Sequence, residues 1–343
     1  MSAIRPGHGV LQDAPTAAPI PWAGPAPTPQ GPVGLRLRGV ELGYGPASTP
    51  PVVGPLDLDL PAGATTAIIG ANGCGKSTLL RGLTRQLPLR AGSVEVLGQD
   101  LSGAGAREYA RTVALLPQHP VAPEGMTVAQ LVARGRHPHR RLLGARAPGD
   151  DDAIAAALEA TGTVDLAERE VTTLSGGQRQ RAWLALVLAQ QTPVVLLDEP
   201  TSYLDLSHQV EVLDLVRRLP DPRPTSGASV PDRPAAGARE PAGPAPDVLP
   251  AHPQATVVAV LHELNLAARS ADHLVAMAHG SIVASGTPAE VVVPEVLREV
   301  FGLDADVVPD PLLGHPVVLP RGAGDRHPPR QPTTTPATLE EDR

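Results

Sequence analysis

The strongest chemical signal in the chain is a glycine-rich run between a short apolar stretch and a predicted helix. Its residues are Gly70, Ala71, Asn72, Gly73, Cys74, Gly75, Lys76, Ser77 and Thr78. This spacing matches the phosphate-binding loop, in which glycines let backbone N–H groups converge on the phosphates of a nucleotide. The N-terminus of the following helix adds positive potential. Lys76 supplies a point charge to the phosphates, and Ser77 supplies a hydroxyl for Mg²⁺.

The use of lysine in this chain supports a phosphate site. Lys76 is the only lysine among 28 basic residues, and all the others are arginine. A compact ammonium fits among phosphates where the planar guanidinium of arginine does not. The lysine therefore favours a phosphate-binding loop over the alternative, a glycine-rich turn that matches by chance.

The single cysteine of the chain, Cys74, lies inside this loop and leaves two interpretations open. It is either a small residue that fits the turn or a reactive thiol beside the phosphates. The second interpretation predicts that alkylation blocks nucleotide binding and that bound MgATP protects the thiol.

A second signal is an apolar stretch that ends in two acids. Val194–Leu197 is typical of a buried strand, and Asp198 and Glu199 follow it directly. This order places Asp198 near the metal and Glu199 where it polarises a water toward the γ-phosphate. Strands often end in an acid, so the pattern gains its weight from the glycine-rich loop upstream.

A third signal decides the class of protein. A predicted helix just before the acidic strand opens with Leu174, Ser175, Gly176, Gly177 and Gln178. Here the chain resembles the ATP-binding-cassette (ABC) ATPases, whose signature is this pentapeptide. Its serine and glycine amides are donors at a helix N-terminus, which suits a γ-phosphate. The alternative, an ordinary serine cap before a flexible glycine pair, does not account for the order and spacing.

The resemblance implies ATP and Mg²⁺ as cofactors and roles for further residues. Glu199 resembles the catalytic base, and His262, after a predicted strand, resembles the switch histidine that contacts the γ-phosphate. Gln118 looks like the Q-loop residue that senses Mg²⁺ and the transporter, although a plain loop glutamine is the alternative. Tyr44 looks like the aromatic that stacks on adenine, with a surface tyrosine near a turn as its alternative, and Asp205 matches the D-loop acid. The implied Mg²⁺ contacts are Ser77, Gln118 and Asp198.

Several stretches resemble one branch of the family, the ATPases of iron-siderophore and cobalamin importers. They are Gly135–His139, Leu174–Trp183, Thr201–Leu206, Val300–Asp304 and Val307–Pro311. The resemblance covers about 34–320 and implies a subunit that hydrolyses ATP to drive uptake of a ferric siderophore or similar iron chelate. Cobalamin or haem is the alternative cargo. A soluble ABC ATPase acting on DNA or ribosomes is a further alternative, as is a non-catalytic cassette, which the intact catalytic positions argue against.

The family resemblance also implies partners. The signature of one subunit closes over the phosphate loop of another, which implies a homodimer of ATPase subunits. This dimer is expected to drive two transmembrane permease subunits, which an extracellular binding protein supplies with cargo.

The composition of the chain bears on where the protein acts and on which partners it has. The net charge is −8, which argues against nucleic acid as the main partner. A single cysteine cannot form a disulfide framework, which fits a reducing cytosol. No apolar run approaches the roughly 18 residues of a membrane span, and no secretory signal is recognisable at the N-terminus. We therefore expect the protein to act from the cytoplasmic side of the membrane by docking to another chain.

The predicted fold class is α/β: a P-loop NTPase of the ABC ATPase type, with a RecA-like core, an antiparallel β subdomain and a helical signature subdomain at about 119–192. Prolines concentrate in three segments, 1–33, 220–254 and 307–343. We interpret 1–33 and 321–343 as disordered and 220–254 as an inserted surface loop, with the ABC domain at 34–320.

The predicted strands are Leu35–Val40, Leu56–Leu60, Thr65–Ile69, Ser93–Leu97, Thr112–Leu116, Val194–Leu197 and Thr256–Leu261, followed by a hairpin of Leu274–Ala278 and Ile282–Ser285. The clearest predicted helices are Lys76–Gln86, Asp150–Gly162, Gly176–Gln191 and Ser207–Leu219.

Overall fold

The computed structural model describes residues 31–46, 48–140, 147–202, 204–219 and 255–322. The insertion 220–254 lies wholly outside the described residues, as do nearly all of the predicted N-terminal extension and C-terminal tail. The surface loop at 220–254 and the disorder of the two terminal segments stay predictions. Tyr203, within one of the stretches that carry the family resemblance, also lies outside the described residues.

The described residues form twelve strands and nine α-helices. The strands are β1 (Val33–Leu42), β2 (Val53–Pro61), β3 (Thr65–Gly70), β4 (Ala91–Val96), β5 (Gln99–Asp100), β6 (Val113–Leu116), β7 (Val194–Asp198), β8 (Thr256–Val260), β9 (His273–Ala278), β10 (Ser281–Gly286), β11 (Ala305–Pro309) and β12 (Pro316–Pro320). The α-helices are α1 (Lys76–Leu83), α2 (Ala106–Thr112), α3 (Val128–Ala133), α4 (Asp150–Ala160), α5 (Gly176–Gln190), α6 (Leu206–Arg218), α7 (Leu264–Ser270), α8 (Pro288–Val291) and α9 (Pro294–Phe301). Short 3₁₀ helices lie at Arg134–His139, Val164–Leu166 and Val171–Thr173.

A six-stranded sheet forms the centre of the fold, in the order β10-β9-β3-β8-β7-β6. All of its neighbouring pairs are parallel except the β9–β10 hairpin. Every residue of β3, β7 and β8 is buried, as expected for a parallel sheet that is covered on both faces. Alternate residues of β3 divide between two cores, with Ile69 facing one and Ile68 the other.

A second sheet is antiparallel, in the order β2-β1-β4-β5. Its apolar residues, such as Leu37 and Leu58, are buried against the core that contains Leu79 of α1. The polar residues of the same strands form ion pairs outside this core, including Arg36 with Asp59. The alternation of β1 predicted this half-buried arrangement.

A helical region with its own small core is built from α3, α4 and α5. A capping box begins α3, in which Thr127 and Gln130 each bond the backbone of the other. The following 3₁₀ helix is fixed by a buried ion pair, because Arg136 Nε lies 2.7 Å from Asp150 Oδ1 at the start of α4. The same guanidinium donates to the carbonyl of Ala189 and the side chain of Gln191 at the end of α5, both at 2.8 Å.

The structure confirms the predicted α/β class and extends the predicted elements. The predicted strand at Thr112–Leu116 begins one residue later, because Thr112 ends α2. The sequence analysis did not identify α2, α7, α8, α9, β5, β11 or β12. The last two form a hairpin that Asn265 of α7 holds by bonding both backbone groups of Val318.

Candidate nucleotide site

The predicted site residues meet at the carboxyl edge of the central sheet. Since β3, β6, β7 and β8 are parallel, the loops that follow them lie at the same edge. These loops carry the glycine-rich run, Gln118, the acidic pair and His262. Topology therefore brings together residues that are far apart in the sequence.

The glycine-rich loop passes directly from β3 into α1. Gly75 is the N-cap of α1 and has a φ of 108°, a left-handed conformation that favours glycine. A Cβ at Gly70 would lie 2.4 Å from the carbonyl oxygen of Met277 on β9, so only glycine fits there. Asn72 and Gly73 are exposed on the loop. The sequence thus forms a tight strand-to-helix turn whose exposed backbone can surround an anion.

Lys76 points back into this loop and not along the helix surface. Its Nζ donates to the carbonyl of Gly70 at 2.8 Å and to that of Ala71 at 3.0 Å. The side chain is only 5% exposed. Its ammonium therefore lies among the backbone groups of the loop, where it would donate hydrogen bonds to the phosphates of a bound nucleotide.

Cys74 is buried in the core beneath the loop. It is 6% exposed, and its Sγ lies 3.9 Å from the Nζ of Lys76. A Cβ added to Gly70 would come within 2.7 Å of the same sulfur. This packing favours the interpretation of Cys74 as a small buried residue, and its predicted reactivity stays a prediction.

Ser77 and Asp198 form an oxygen pair beside the loop. The Ser77 hydroxyl donates to Asp198 Oδ1 at 3.1 Å. Burial raises the pKa of the Asp198 carboxyl, and the hydrogen bond from Ser77 opposes this shift only in part. No cluster of three or more histidine, cysteine or acidic residues within the described ranges could hold a metal alone. A hydroxyl and one carboxylate nevertheless suit Mg²⁺, which takes its remaining ligands from phosphates and water.

Glu199 has both carboxylate oxygens fixed by hydrogen bonds. Oε1 lies 2.5 Å from Nε2 of His262, and Oε2 accepts from the hydroxyl of Ser202 at 2.8 Å. Burial alone would raise the pKa of this carboxyl. Bonds from His262, Ser202 and Gln118 outweigh that effect and hold the pKa below its ordinary value. The carboxylate is therefore ionised at neutral pH and oriented at the sheet edge.

The backbone of Glu199 supports the same orientation. Its φ is 53°, a left-handed conformation that is unfavourable for a residue with a Cβ. Such strain persists where the surroundings hold the residue in place. The hydrogen bond from Ser202 helps to hold Glu199 in this conformation, and the sequence analysis included Ser202 only within the stretch Thr201–Leu206.

Tyr44 lies against the helix that follows the glycine-rich loop. Its hydroxyl accepts a hydrogen bond from Arg81 at 3.0 Å and lies 3.4 Å from the hydroxyl of Thr78. The bond with Thr78 and the nearby Arg81 guanidinium hold the pKa of Tyr44 below its ordinary value. The residue is 46% exposed. It therefore presents an aromatic surface at the nucleotide loop, and the sequence analysis missed the contribution of Arg81.

The signature residues form a second group, at the N-terminus of α5. Ser175 is the N-cap, where its Oγ accepts from the Gln178 backbone at 3.3 Å and the Gln178 side chain accepts from the Ser175 backbone at 3.2 Å. Gly176 and Gly177 form the first turn. The ring of His208 lies so close that a Cβ at Gly177 would come within 2.9 Å of it.

Asp205 is the N-cap of α6. Its carboxylate accepts from the backbone N–H and ring of His208 and from the hydroxyl of Ser207. The backbone bond from His208 is the largest of several effects that lower the pKa of Asp205 to about 2. Because His208 also packs on Gly177, it connects the start of α6 to the start of α5.

The chain is similar to known ATP-binding proteins of the ABC transporter family. Residues 53–202 match the ABC transporter family. The chain is 43% identical over 289 residues to the ferric enterobactin transport ATP-binding protein FepC of Escherichia coli, covering 84% of this chain and 94% of that one. It is 42% identical over 288 residues to the achromobactin transport ATP-binding protein CbrD of Dickeya dadantii, covering 84% and 95%.

Other similarities are more distant. The hemin import ATP-binding protein HmuV of Myxococcus xanthus is 38% identical over 297 residues, covering 84% of this chain and 97% of that one. A solved ABC transporter in an inward-facing conformation contains a chain with a TM-score of 0.64 and 26% identity, covering 84% and 98%.

Proposed function

The chain belongs to the ABC transporter family of ATP-binding proteins, and on that premise we propose that it is the ATP-hydrolysing subunit of an importer of ferric siderophores or similar iron chelates. One arrangement supports the ATPase role. The Glu199–His262 pair and the Ser77–Asp198 pair lie at the same edge of the central sheet, where the glycine-rich loop also places Lys76. A phosphate-binding loop, a metal-binding oxygen pair and an oriented base are the groups that nucleotide hydrolysis needs.

ATP binding follows from the glycine-rich loop. The backbone N–H groups of the loop and the Lys76 ammonium bind the β- and γ-phosphates, and the exposed ring of Tyr44 stacks on adenine. Ser77, Asp198 and Gln118 would hold Mg²⁺, which neutralises charge on the transferring phosphoryl group. The hard oxygen ligands fit this ion.

Hydrolysis is assigned to Glu199 and His262. The ionised Glu199 carboxylate accepts a hydrogen bond from a water and directs its oxygen at the γ-phosphorus. As the new P–O bond forms, a proton of the water passes to the Glu199 carboxylate and the bond to the bridging oxygen breaks, so that ADP and inorganic phosphate leave. His262 Nε2 bonds Glu199 Oε1, and we assign to His262 the further role of contacting the γ-phosphate.

The signature acts on the ATP of a second copy. Ser175 Oγ uses a lone pair, not its hydrogen, to cap α5. The Ser175 O–H and the N–H groups of Gly176 and Gly177 thus remain donors for a γ-phosphate presented by a partner subunit. Asp205 belongs to the same dimer face, as the matching D-loop acid. We propose a homodimer that encloses two nucleotides and closes and opens with hydrolysis.

The cargo assignment rests on the relatives. Those named for ferric enterobactin and achromobactin transport are 42–43% identical to this chain, whereas those named for hemin or cobalamin import are 37–38% identical. No helix in the described ranges has the length and hydropathy to span a membrane. We propose that the dimer docks on transmembrane permease subunits at the cytoplasmic face, and that an extracellular binding protein supplies the cargo through them.

Uptake in cells tests this proposal. Cells that lack the native gene receive wild type or Glu199→Gln, and uptake of a radiolabelled ferric siderophore is measured beside haem and cobalamin. Loss of iron-chelate uptake alone supports both the ATPase role and the cargo class. Loss of only another cargo contradicts the iron assignment, and unchanged uptake of all three contradicts the transport role.

A further inference from the structure

One arginine, distant from Tyr44 in the sequence, binds the segment that carries Tyr44. Arg90 precedes β4, and its Nη2 donates to the carbonyl of Tyr44 at 2.7 Å. Its Nη1 donates to the carbonyl of Thr49. Between these two carbonyls the chain turns, and Thr49 N–H bonds the carbonyl of Pro46 at 3.0 Å. A single guanidinium therefore ties together the two ends of this turn.

The position of Arg90 is itself fixed. Its backbone N–H donates to the carbonyl of Glu41 at 2.9 Å, which joins it to the end of β1. Its guanidinium lies flat against Gly43, where an added Cβ would come within 2.7 Å of Cζ. The glycine before Tyr44 thus leaves the space that the guanidinium occupies. Only a planar group with several donors can bond both carbonyls in this space.

Tyr44 is consequently held at both ends. Arg81 and Thr78 contact its hydroxyl, and Arg90 bonds its backbone carbonyl. The ring between these contacts remains half exposed. A ring that is fixed before binding loses less conformational freedom when a ligand stacks on it.

We infer that Arg90 is a positioning residue for the purine: it binds the turn that carries Tyr44 and holds the ring in place to stack on adenine. This inference rests on the proposed function, in which Tyr44 is the adenine-stacking residue. Arg90 bonds the backbone of Glu41, Tyr44 and Thr49. None of these three residues is assigned to the phosphates or to hydrolysis, so we expect Arg90 to affect nucleotide affinity and not the hydrolytic step.

The test compares binding of MgADP and of magnesium tripolyphosphate, which lacks the purine, to the purified full-length protein. Arg90→Ala should weaken MgADP binding about three- to tenfold, the equivalent of one aromatic stacking contact, and raise the KM for ATP with little change in kcat. Tripolyphosphate binding should not change. Adding Arg90→Ala to Tyr44→Ala should cause no further loss of MgADP affinity.

Arg85 provides a matched control. Its guanidinium also donates to two backbone carbonyls, those of Ser102 and Ala104, but these belong to a different loop. Arg85→Ala should leave MgADP affinity unchanged. If Arg90→Ala does not fold, Arg90→Lys serves instead. An intermediate loss of MgADP affinity is then expected, because one ammonium cannot replace a guanidinium that bonds both carbonyls.

Three results would overturn the inference, and each is distinguishable from a failure of the proposed hydrolytic role. If Arg90→Ala weakens MgADP equally in the Tyr44→Ala background, or weakens tripolyphosphate as much as MgADP, Arg90 does not act through Tyr44. If Tyr44→Ala binds MgADP as wild type does, the adenine-stacking role of Tyr44 fails and the inference fails with it. The hydrolytic role of Glu199 is unaffected by any of these results.

Discussion

Glu199 Oε1 lies 2.5 Å from His262 Nε2, so the acid after β7 and the histidine after β8 form one hydrogen-bonded unit. The strand register produces this pairing. Asp198 is paired with Val260 on the neighbouring parallel strand, and the chain continues from both strands at the same edge. The proposed base is therefore oriented by a residue that the sheet places beside it.

His262→Ala removes this orientation. We expect kcat for ATP hydrolysis to fall by about 10²-fold or more, since positioned proton-transfer groups contribute at that scale. MgADP affinity should change little, because the phosphate loop is intact. Steady-state kinetics and calorimetric titration measure the two quantities. His279→Asn, at an exposed turn with a φ of 48° that asparagine tolerates, is the control. A kcat that stays at the wild-type level would contradict the role of His262.

Ser77→Ala tests the proposed Mg²⁺ contacts. The hydroxyl donates to Asp198 and would contact the ion, so its loss should raise the Mg²⁺ concentration for half-maximal activity by about tenfold or more. Excess Mg²⁺ should restore part of the rate. A Mn²⁺ titration followed by electron paramagnetic resonance gives a readout independent of turnover. Ser281→Ala, at an exposed position on β10, is the control. An unchanged metal requirement would exclude Ser77 from the ion's surroundings.

The pH dependence of stability tests Asp205. Its folded pKa is about 2, against an ordinary value of 3.8. A lowered pKa means that the ionised group stabilises the fold above about pH 4, and that this contribution is lost as pH falls through about 2. Asp205→Asn keeps a capping oxygen but removes the charge. Its Tm should lie below that of wild type at neutral pH, and the gap should narrow as pH falls below 4. Thermal melts of the nucleotide-free protein measure this, and a gap that is constant with pH would contradict it.

The buried ion pair of the helical region predicts a large effect on stability. Arg136 and Asp150 are 8% and 1% exposed. Arg136→Ala leaves a buried carboxylate unpaired and should lower the free energy of unfolding by about 3–5 kcal/mol. Arg136→Met combined with Asp150→Ala should recover part of the loss. Arg36→Ala removes a partly exposed arginine and leaves Asp59 paired with Arg38, so it should cost less than about 1 kcal/mol. Urea denaturation measures all three, and equal effects of the Arg36 and Arg136 substitutions would be inconsistent with the burial of this pair.

The packing of the segment Gly135–His139 could not be predicted from the sequence. Its resemblance to family members indicated a region that meets the permease. In the structure, Gly135 packs against the backbone of α5, and Arg136 pairs with an acid 14 residues away. Neither contact follows from periodicity or local spacing, because both depend on how α4 and α5 pack on the 3₁₀ helix.

Local structure was predicted more completely. The turn from strand to helix at the glycine-rich run, the buried strand before Asp198 and the helix that begins at the signature each follow from a few adjacent residues, so the sequence alone was sufficient to predict them. The helices α2, α7 and α9 are seven or eight residues long. Helices this short are set by tertiary packing more than by their own propensity, which explains why they were missed. Arg81 and Arg90 were missed for the same reason, since their partners lie 37 and 46 residues away.

The most direct test of the central claim is MgATP hydrolysis by the purified protein with and without the Glu199 carboxylate. We predict that Glu199→Gln retains MgATP binding and loses hydrolysis by about 10²- to 10⁴-fold. Lys76→Ala, measured alongside, should lose binding itself. Hydrolysis by Glu199→Gln at the wild-type rate would contradict the assignment of Glu199 as the base and, with it, the catalytic account of this site.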